Sequence, residues 1–223
     1  MRILGLDTST EYLSLALLLD GSTLSRDLHA GQQHSELILP LVQELLAEAG
    51  ISLRELDCVA FGQGPGTFTG LRIGCGVAQG LAFGADLSVA PVSTLLALAQ
   101  GSGHASVVAC LDARMGEVYH ACYRRDGQTW LTLSEPGLYS PQDTPRVEGD
   151  RWAGVGSGFS AYHEALSARY AGQLQQIDGT LFPHAEAIAT LAAEMLEAGQ
   201  VVAPEQAAPL YIRDKVALKT SER

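Results

Sequence analysis

The pattern of strands and helices starts twice along the chain, and this repeat limits the folds open to it. Near residues 2–28 and 107–133, an apolar strand ends at an aspartate and leads through turns into two further strands. Helical patterns follow each set of strands. Strand meanders combined with helices predict an α/β fold with a mixed sheet in each half. The glycines within residues 101–103 predict the boundary, which gives an N-terminal half of 1–100 and a C-terminal half of 101–223.

Two amphipathic helices are predicted in the N-terminal half. The first has Ser35 as its N-cap and Gly50 just after its last turn, with apolar side chains over a wide arc between them. The second covers about residues 69–83. In the C-terminal half, residues 135–150 hold three prolines and are predicted to be a loop. We predict that the C-terminal tail returns to the first half.

Five glycines lie in or beside the second helix, although each interior glycine costs about 1 kcal/mol relative to alanine. Their four-residue spacing would let another helix approach closely. Two interpretations stay open: packing against the chain's own core, and an exposed apolar seam for a partner subunit. We favour the seam, because the first helix is apolar over an arc wide enough for two contacts. The predicted partner interface comprises Leu37, Leu41, Leu45, Gly70, Arg72, Ile73, Gly74, Val77, Gly80 and Leu81.

A polar turn after the first strand has the chemistry of a nucleotide phosphate loop. Asp7 could hold Mg²⁺ through water, and the hydroxyls of Thr8 and Ser9 could meet phosphate, although an ordinary polar turn would look the same. The glycine-rich loop at 64–66 could also cradle phosphate, but it lacks the Gly-Lys-Ser/Thr ending of a Walker A loop. We therefore predict at most a vestigial phosphate loop at Asp7, Thr8 and Ser9.

No metal or nucleophile motif is recognisable in the sequence. No two of the six histidines have i, i+4 spacing, and no serine lies in a G-x-S-x-G context. The four scattered cysteines are typical of reduced, buried thiols in a cytosolic protein. We therefore expect neither catalytic residues nor a metal site.

The net charge of the chain limits the kinds of partner that it can bind. With a formal net charge of −11, its surface repels phosphate backbones, so the chain alone is a poor candidate for binding tRNA or a membrane. No stretch approaches the roughly 20 apolar residues of a membrane helix. Asp7 interrupts the apolar N-terminus, which is unlike a signal peptide. We predict a cytoplasmic protein.

Four segments together resemble the TsaB family, also called YeaZ. They are the strand and turn ILGLDTS at 3–9, HSE with the following LP at 34–40, the run GPGTFTGLRIG at 64–74, and PLYIR at 209–213. The similarity extends from Arg2 to about Lys215. It implies the actin-like ATPase fold of sugar kinases, Hsp70 and actin, which is built from two related halves.

The resemblance also implies a function in placing a threonylcarbamoyl group on adenosine in tRNA. The catalytic relative, TsaD, carries a metal-binding H-x-x-x-H motif, whereas the comparable stretch 92–97 reads VSTLLA here. The resemblance thus implies a non-catalytic scaffold that pairs with TsaD through the two N-terminal helices and helps the TsaE ATPase bind. It further implies a homodimer when alone and tRNA contact only through the complex. No cofactor is predicted with certainty, although ATP or ADP could bind in the assembled complex.

An independent ATPase or sugar-type kinase of the same fold is the alternative. It would need an acidic base and a phosphate loop closer to Asp-x-Gly-Thr, and Ser9 stands where that loop has glycine. A metal-dependent peptidase, suggested by the peptidase M22 label of such proteins, lacks its ligands.

Overall fold

Two five-stranded sheets organise the chain, and the computed structural model describes them within residues 1–213. The strands of the first sheet are β1 (Arg2–Asp7), β2 (Tyr12–Leu19), β3 (Ser22–His29), β4 (Cys58–Gly64) and β5 (Ser88–Ser93). Those of the second are β6 (Ser106–Arg114), β7 (Glu117–Asp126), β8 (Thr129–Tyr139), β9 (Trp152–Val155) and β10 (Leu174–Asp178). The α-helices are α1 (His34–Ala49), α2 (Phe68–Ala85), α3 (Thr94–Gly101), α4 (Ser157–Ala161), α5 (His163–Arg169) and α6 (Ala185–Glu197).

The two sheets share one topology. The first has the order β3-β2-β1-β4-β5, in which β1 to β3 form an antiparallel meander and β4 and β5 continue parallel to β1. The second repeats this order as β8-β7-β6-β9-β10. The predicted α/β class, with a mixed sheet in each half, is therefore confirmed.

Helices cover both faces of the first sheet. On one face, α1 and α2 bury Leu4, Leu6 and Phe61, while α3 and α6 cover Ile3 and Ala60 on the other. Strands with helices on both faces read as nearly continuous apolar runs, and this is the pattern of β1 and β4.

The second sheet is covered by helix α3 on one face and by α4 and α5 on the other. Leu95 and Leu98 of α3 pack with Val107 of β6, whereas Phe159 and Trp152 belong to the opposite cluster. Since Ala97 of α3 joins the cluster beneath the first sheet, this helix lies between the halves and contacts both.

The ends of α1 match the sequence prediction at only one terminus. Gly50 has a left-handed φ of 66° and its N–H bonds to the carbonyl of Ala47, as expected of a helix-ending glycine. The predicted N-cap was wrong. The helix begins at His34, Gln33 occupies the cap position, and Ser35 lies inside the first turn.

The C-terminal half differs from its prediction in three places. Residues 135–139 continue β8 instead of starting a loop, and Pro136 fits there because an edge strand leaves some N–H groups unpaired. Strand β10 was not predicted. Helix α6 lies beyond the boundary at residues 101–103, yet it packs on the first sheet through Ile188 and Ala192.

Two further features concern the cysteines and the lengths of the helices. All four cysteines are buried and unpaired with one another. Among the helices described up to residue 213, none is both long and apolar enough to cross a membrane.

Candidate partner-binding face and the cleft between the halves

The inner side of α2 rests directly on the turn that follows β1. A Cβ atom added at Gly70 would lie 1.9 Å from the backbone oxygen of Thr8, and one at Gly74 would lie 2.6 Å from the Thr8 hydroxyl. That hydroxyl donates a hydrogen bond of 2.7 Å to the carbonyl of Gly70. Both glycines are buried. Their assignment to the partner interface was therefore wrong, because these inner glycines, Gly70 and Gly74, pack against the chain's own backbone.

The outer side of α2 has no such neighbour. A Cβ added at Gly76, Gly80 or Gly84 would meet no atom of residues 1–213 within 4 Å, and these three outer glycines are exposed. Phe83 lies among them with 78% of its surface exposed. A bare backbone beside a large exposed aromatic ring is a surface that a second helix could approach closely.

Helices α1 and α2 meet along a seam of half-buried apolar side chains. Leu37 and Leu41 of α1, with Val77 and Leu81 of α2, pack against the core while keeping part of their surface exposed. Ile73 is also partly exposed. Arg72, the charged residue next to it, was predicted as a member but lies outside the seam. We call these five residues and the outer glycines the α1–α2 face.

Two further predicted positions lie outside this face, and two exposed apolar residues on the same helices were overlooked. Arg72 is exposed on α2, but Leu45 is fully buried beneath α1, so its assignment to the interface was wrong. Leu39 and Phe83, exposed by 47% and 78%, were not predicted as members. Both lie off the main apolar stripe of their helices, and an apolar residue outside the stripe was the signal that could have found them.

The predicted phosphate loop is folded into the protein. The Oδ1 atom of Asp7 accepts hydrogen bonds from the backbone N–H and the hydroxyl of Ser9, at 2.9 and 2.8 Å. Its Oδ2 atom is buried with no hydrogen-bond partner among the described residues. Burial raises the pKa of this carboxyl from 3.8 to about 7, against the smaller effect of the Ser9 hydrogen bonds.

A cleft of about 460 Å³ lies between the two halves. Ser9, Glu11 and Phe68 line it from the first half, and Asp112 and Arg213 line it from the opposite side. Asp112 also pairs with the guanidinium of Arg114, at 3.1 Å. The cleft therefore carries both carboxylates and guanidinium groups.

These residues do not fit a metal-bound nucleotide. The Oδ2 atom of Asp7 is enclosed, since a Cβ added at Gly62 would lie 1.9 Å from it, and the Thr8 hydroxyl is engaged beneath α2. Only Ser9 of the predicted phosphate loop lines the cleft. The assignment of Asp7 and Thr8 to a phosphate site was therefore wrong, because both side chains are used inside the fold.

The C-terminal tail crosses the mouth of this cleft. The N–H of Leu210 donates to the carbonyl of Gln63, at 2.6 Å, and Arg72 donates to the hydroxyl of Tyr211, at 3.0 Å. Arg213 then reaches the turn between β6 and β7. Residues 209–213 belong to the tail that was predicted to return to the first half, and in the structure they join α2 to the second half. The basic residues at positions 215, 219 and 223 of the sequence lie outside the described residues.

Comparison with known proteins settles the family. The sequence model of the family described as "TsaD: tRNA N6-adenosine threonylcarbamoyltransferase" matches residues 28–220. The Escherichia coli protein named "tRNA threonylcarbamoyladenosine biosynthesis protein TsaB" is 40% identical over 235 residues, covering 98% of this chain and 97% of that protein. The chain belongs to the TsaB family. The TsaB protein of Haemophilus influenzae is 36% identical, covering 98% of this chain and 96% of its own length.

Solved structures related to the TsaB family show the same architecture. The structure described as "YeaZ from Pseudomonas aeruginosa" is 39% identical, has a TM-score of 0.86, and covers 94% of this chain and 99% of that one. A second structure, of an uncharacterized protein with similarity to peptidase YEAZ from that organism, gives a TM-score of 0.88 at 38% identity, covering 95% and 99%. With the repeated sheet topology, these matches confirm the actin-like ATPase-type fold of two related halves.

TsaB-family membership directs attention to the stretch 92–97, where the resemblance implied that the catalytic relative has metal-binding histidines. Here Thr94 is fully buried at the start of α3 and donates a hydrogen bond of 2.6 Å to the carbonyl of Pro65. Within residues 1–213, no three histidine, cysteine, aspartate or glutamate side chains are grouped to hold a metal ion. The position carries a structural contact in this chain.

Proposed function

We propose that this TsaB-family chain is an accessory subunit in the biosynthesis of N6-threonylcarbamoyladenosine in tRNA. Its relatives in E. coli and H. influenzae carry that pathway in their names, over nearly the whole length of both chains. In this proposal the chain itself is not an enzyme. It pairs with a TsaD-type transferase, which performs the transfer to adenosine 3′ of the anticodon, and it enables a TsaE-type ATPase to bind.

The α1–α2 face is the proposed site of pairing. The observation that carries this proposal is the set of outer glycines, whose open backbone lies beside the exposed ring of Phe83. An interior glycine costs about 1 kcal/mol of helix stability, and no contact within residues 1–213 requires glycine on the outer side. A close helix crossing with a partner would use it.

The same face is proposed to hold a homodimer when the chain is alone. A single apolar face can be covered either by a second copy or by the TsaD-type subunit, and the two states then compete for the same residues. The family model that describes TsaD also matches residues 28–220 of this chain, which supports a related fold in the two subunits.

Contact with tRNA is proposed to occur through the complex. A net charge of −11 opposes a phosphate backbone, so the partner supplies the cationic surface. Both partners and their tRNA substrate belong to the cytoplasm, which is the proposed compartment.

Reconstitution tests the proposed function. A TsaD-type transferase, a TsaE-type ATPase, threonylcarbamoyl-adenylate and unmodified tRNA are combined with and without this chain, and modified nucleoside is measured by mass spectrometry. We expect repeated turnover only when the chain is present. The same yield without the chain would contradict the accessory role.

Two control measurements separate the alternatives. The chain alone should hydrolyse no ATP, and ATP hydrolysis that disappears in an Asp7→Asn variant would favour an independent ATPase. A gel-shift titration at physiological salt should give a dissociation constant for tRNA no tighter than about 1 μM, the limit of ordinary non-specific binding.

A further inference from the structure

The C-terminal segment 207–213 touches three parts of the molecule in turn. It starts beside α2, where the side chain of Gln79 donates to the carbonyl of Ala207 at 3.0 Å. It continues over the loop before α2, where the N–H of Leu210 bonds to Gln63. It ends on the second half through Arg213. A segment without regular secondary structure, held at both ends by different halves, links the movements of those halves.

The middle of this segment is fixed by an aromatic and cationic cluster at the start of α2. The guanidinium of Arg72 lies 5.9 Å from the ring centre of Phe68 and 5.7 Å from that of Tyr211, and the two rings are 5.2 Å apart. Arg72 is exposed near the start of α2, while Phe68 lines the cleft. The cluster is therefore within reach of both the partner side and the cleft side.

The far end of the segment holds a strained turn. Arg114 and Met115, between β6 and β7, have left-handed φ values of 63° and 56°, a conformation that costs non-glycine residues free energy. Arg213 donates to the carbonyl of Ala113 at 3.0 Å and pairs with Glu117 at 2.7 Å. Its side chain is only 9% exposed. These contacts bracket the strained pair and hold it in place.

Strain of this kind persists only where the surroundings impose it. We infer that residues 207–213 form a relay in which Arg72 on α2 acts through Tyr211 and Arg213 on the β6–β7 turn in the wall of the cleft. Disturbing Arg72 frees Tyr211, loosens the hold of Arg213 and lets the strained turn relax. Through the relay, the cleft can respond to contacts that a partner makes with Arg72 on the exposed side of α2.

Hydrogen exchange of the isolated, full-length chain tests the relay. Peptides covering 112–118 are followed by mass spectrometry in wild type, Arg213→Ala, Arg72→Ala and the milder Tyr211→Phe, which removes only the hydroxyl. Arg54→Ala changes an exposed arginine elsewhere in the first half and is the matched control. We expect exchange of 112–118 to become about tenfold faster in Arg213→Ala, as for the loss of a charge-assisted hydrogen bond, and clearly faster in the other two relay variants.

The position of the change distinguishes a relay from local damage. Faster exchange of 112–118 in Arg72→Ala, with β3 unchanged, supports the relay, because Arg72 does not touch that turn. If Arg72→Ala and Tyr211→Phe alter only the tail and α2, the relay is overturned. An equal rise of exchange across both sheets in every variant, including Tyr211→Phe, would show general destabilisation and would also overturn it.

A second arm adds a TsaD-type subunit and rests on the proposed function. Protection of α2 accompanied by a changed exchange rate at 112–118 supports coupling of partner and cleft. Protection of α2 with no change at 112–118 overturns that coupling while leaving the proposed pairing intact. Absence of any protection contradicts the proposed pairing instead, and the isolated chain still decides the relay.

Discussion

The inner and outer sides of α2 use the same residue for different purposes. On the inner side, the place of each missing Cβ is taken by Thr8, so glycine is required by the chain's own backbone. On the outer side, the place of each missing Cβ is empty. The comparison shows that a four-residue glycine spacing signals a close approach without telling which molecule approaches. Only the position of the turn after β1 separates the core contact from the face that we assign to a partner.

The largest expected effect concerns Asp7, the buried carboxyl that precedes Thr8 in the turn beneath α2. Asp7 has a pKa of about 7 in the fold and 3.8 when unfolded, so the unfolded state releases its proton first as the pH rises. Between these values the free energy of unfolding should fall, on the order of 4 kcal/mol in total, at about 1.4 kcal/mol per pKa unit. Asp7→Asn should remove this loss.

Urea unfolding at several pH values between 4 and 8 measures this difference. The variant should gain stability relative to wild type as the pH rises, with the gain complete above the folded pKa. Equal slopes for the two proteins would show that the Asp7 carboxyl does not titrate in this range.

Gly70→Ala tests the inner side by steric overlap. The new Cβ would lie 1.9 Å from a backbone oxygen, which cannot move without displacing the turn after β1. We expect the free energy of unfolding to fall by about 3 kcal/mol, since overpacking against backbone exceeds the gain in helix propensity. A loss below about 1 kcal/mol in chemical denaturation would mean that α2 shifts freely.

Gly74→Ala should cost less, because its Cβ would meet the hydroxyl of a side chain instead of backbone. We expect a loss of about 1–2 kcal/mol. A double-mutant cycle with Thr8→Ala isolates the contact, since removing the hydroxyl should recover part of the loss. Additive losses in the two single variants would place the strain elsewhere.

Gly80→Ala should have the smallest effect and the opposite sign. Its Cβ meets nothing within 4 Å, so alanine should raise the stability of the dilute monomer by somewhat under 1 kcal/mol through helix propensity. Thermal melting at low protein concentration measures it. A destabilised monomer would break the distinction between the two sides of α2.

Much of the fold follows from local patterns in the sequence. The meanders were predictable because hairpin turns such as Asp20-Gly21, with φ values of 47° and 97°, are encoded by residues that adopt left-handed conformations. The end of α1 at Gly50 follows from the same preference. Non-local packing was not predictable in this way, and α6 shows it: its apolar face does not specify which of two sheets it covers.

The sequence predicted several of the side chains that share a half-exposed surface, while the role of that surface in pairing stays a prediction. Leu37, Leu41, Val77 and Leu81 lie on the α1–α2 face, as proposed from their spacing, while Leu45 is fully buried. Apart from Thr69, Arg72 and Gln79, helix α2 consists of small or apolar residues, so periodicity gives little direction for its inner side. The phosphate-loop prediction failed for a related reason, because the composition of a polar turn does not show whether its side chains face a cleft or the core.

The most direct test of the assigned face measures binding of the chain to a TsaD-type subunit in Gly80→Leu. Its control is Ala168→Leu, which places leucine at an exposed position on α5 in the other half. Size-exclusion chromatography with light scattering follows the complex, and thermal melts confirm the fold of each variant. We predict that Gly80→Leu melts no lower than wild type as a dilute monomer and forms neither the homodimer nor the complex, whereas Ala168→Leu forms both. Normal assembly of Gly80→Leu with the TsaD-type subunit would contradict the account and remove the α1–α2 face from the interface.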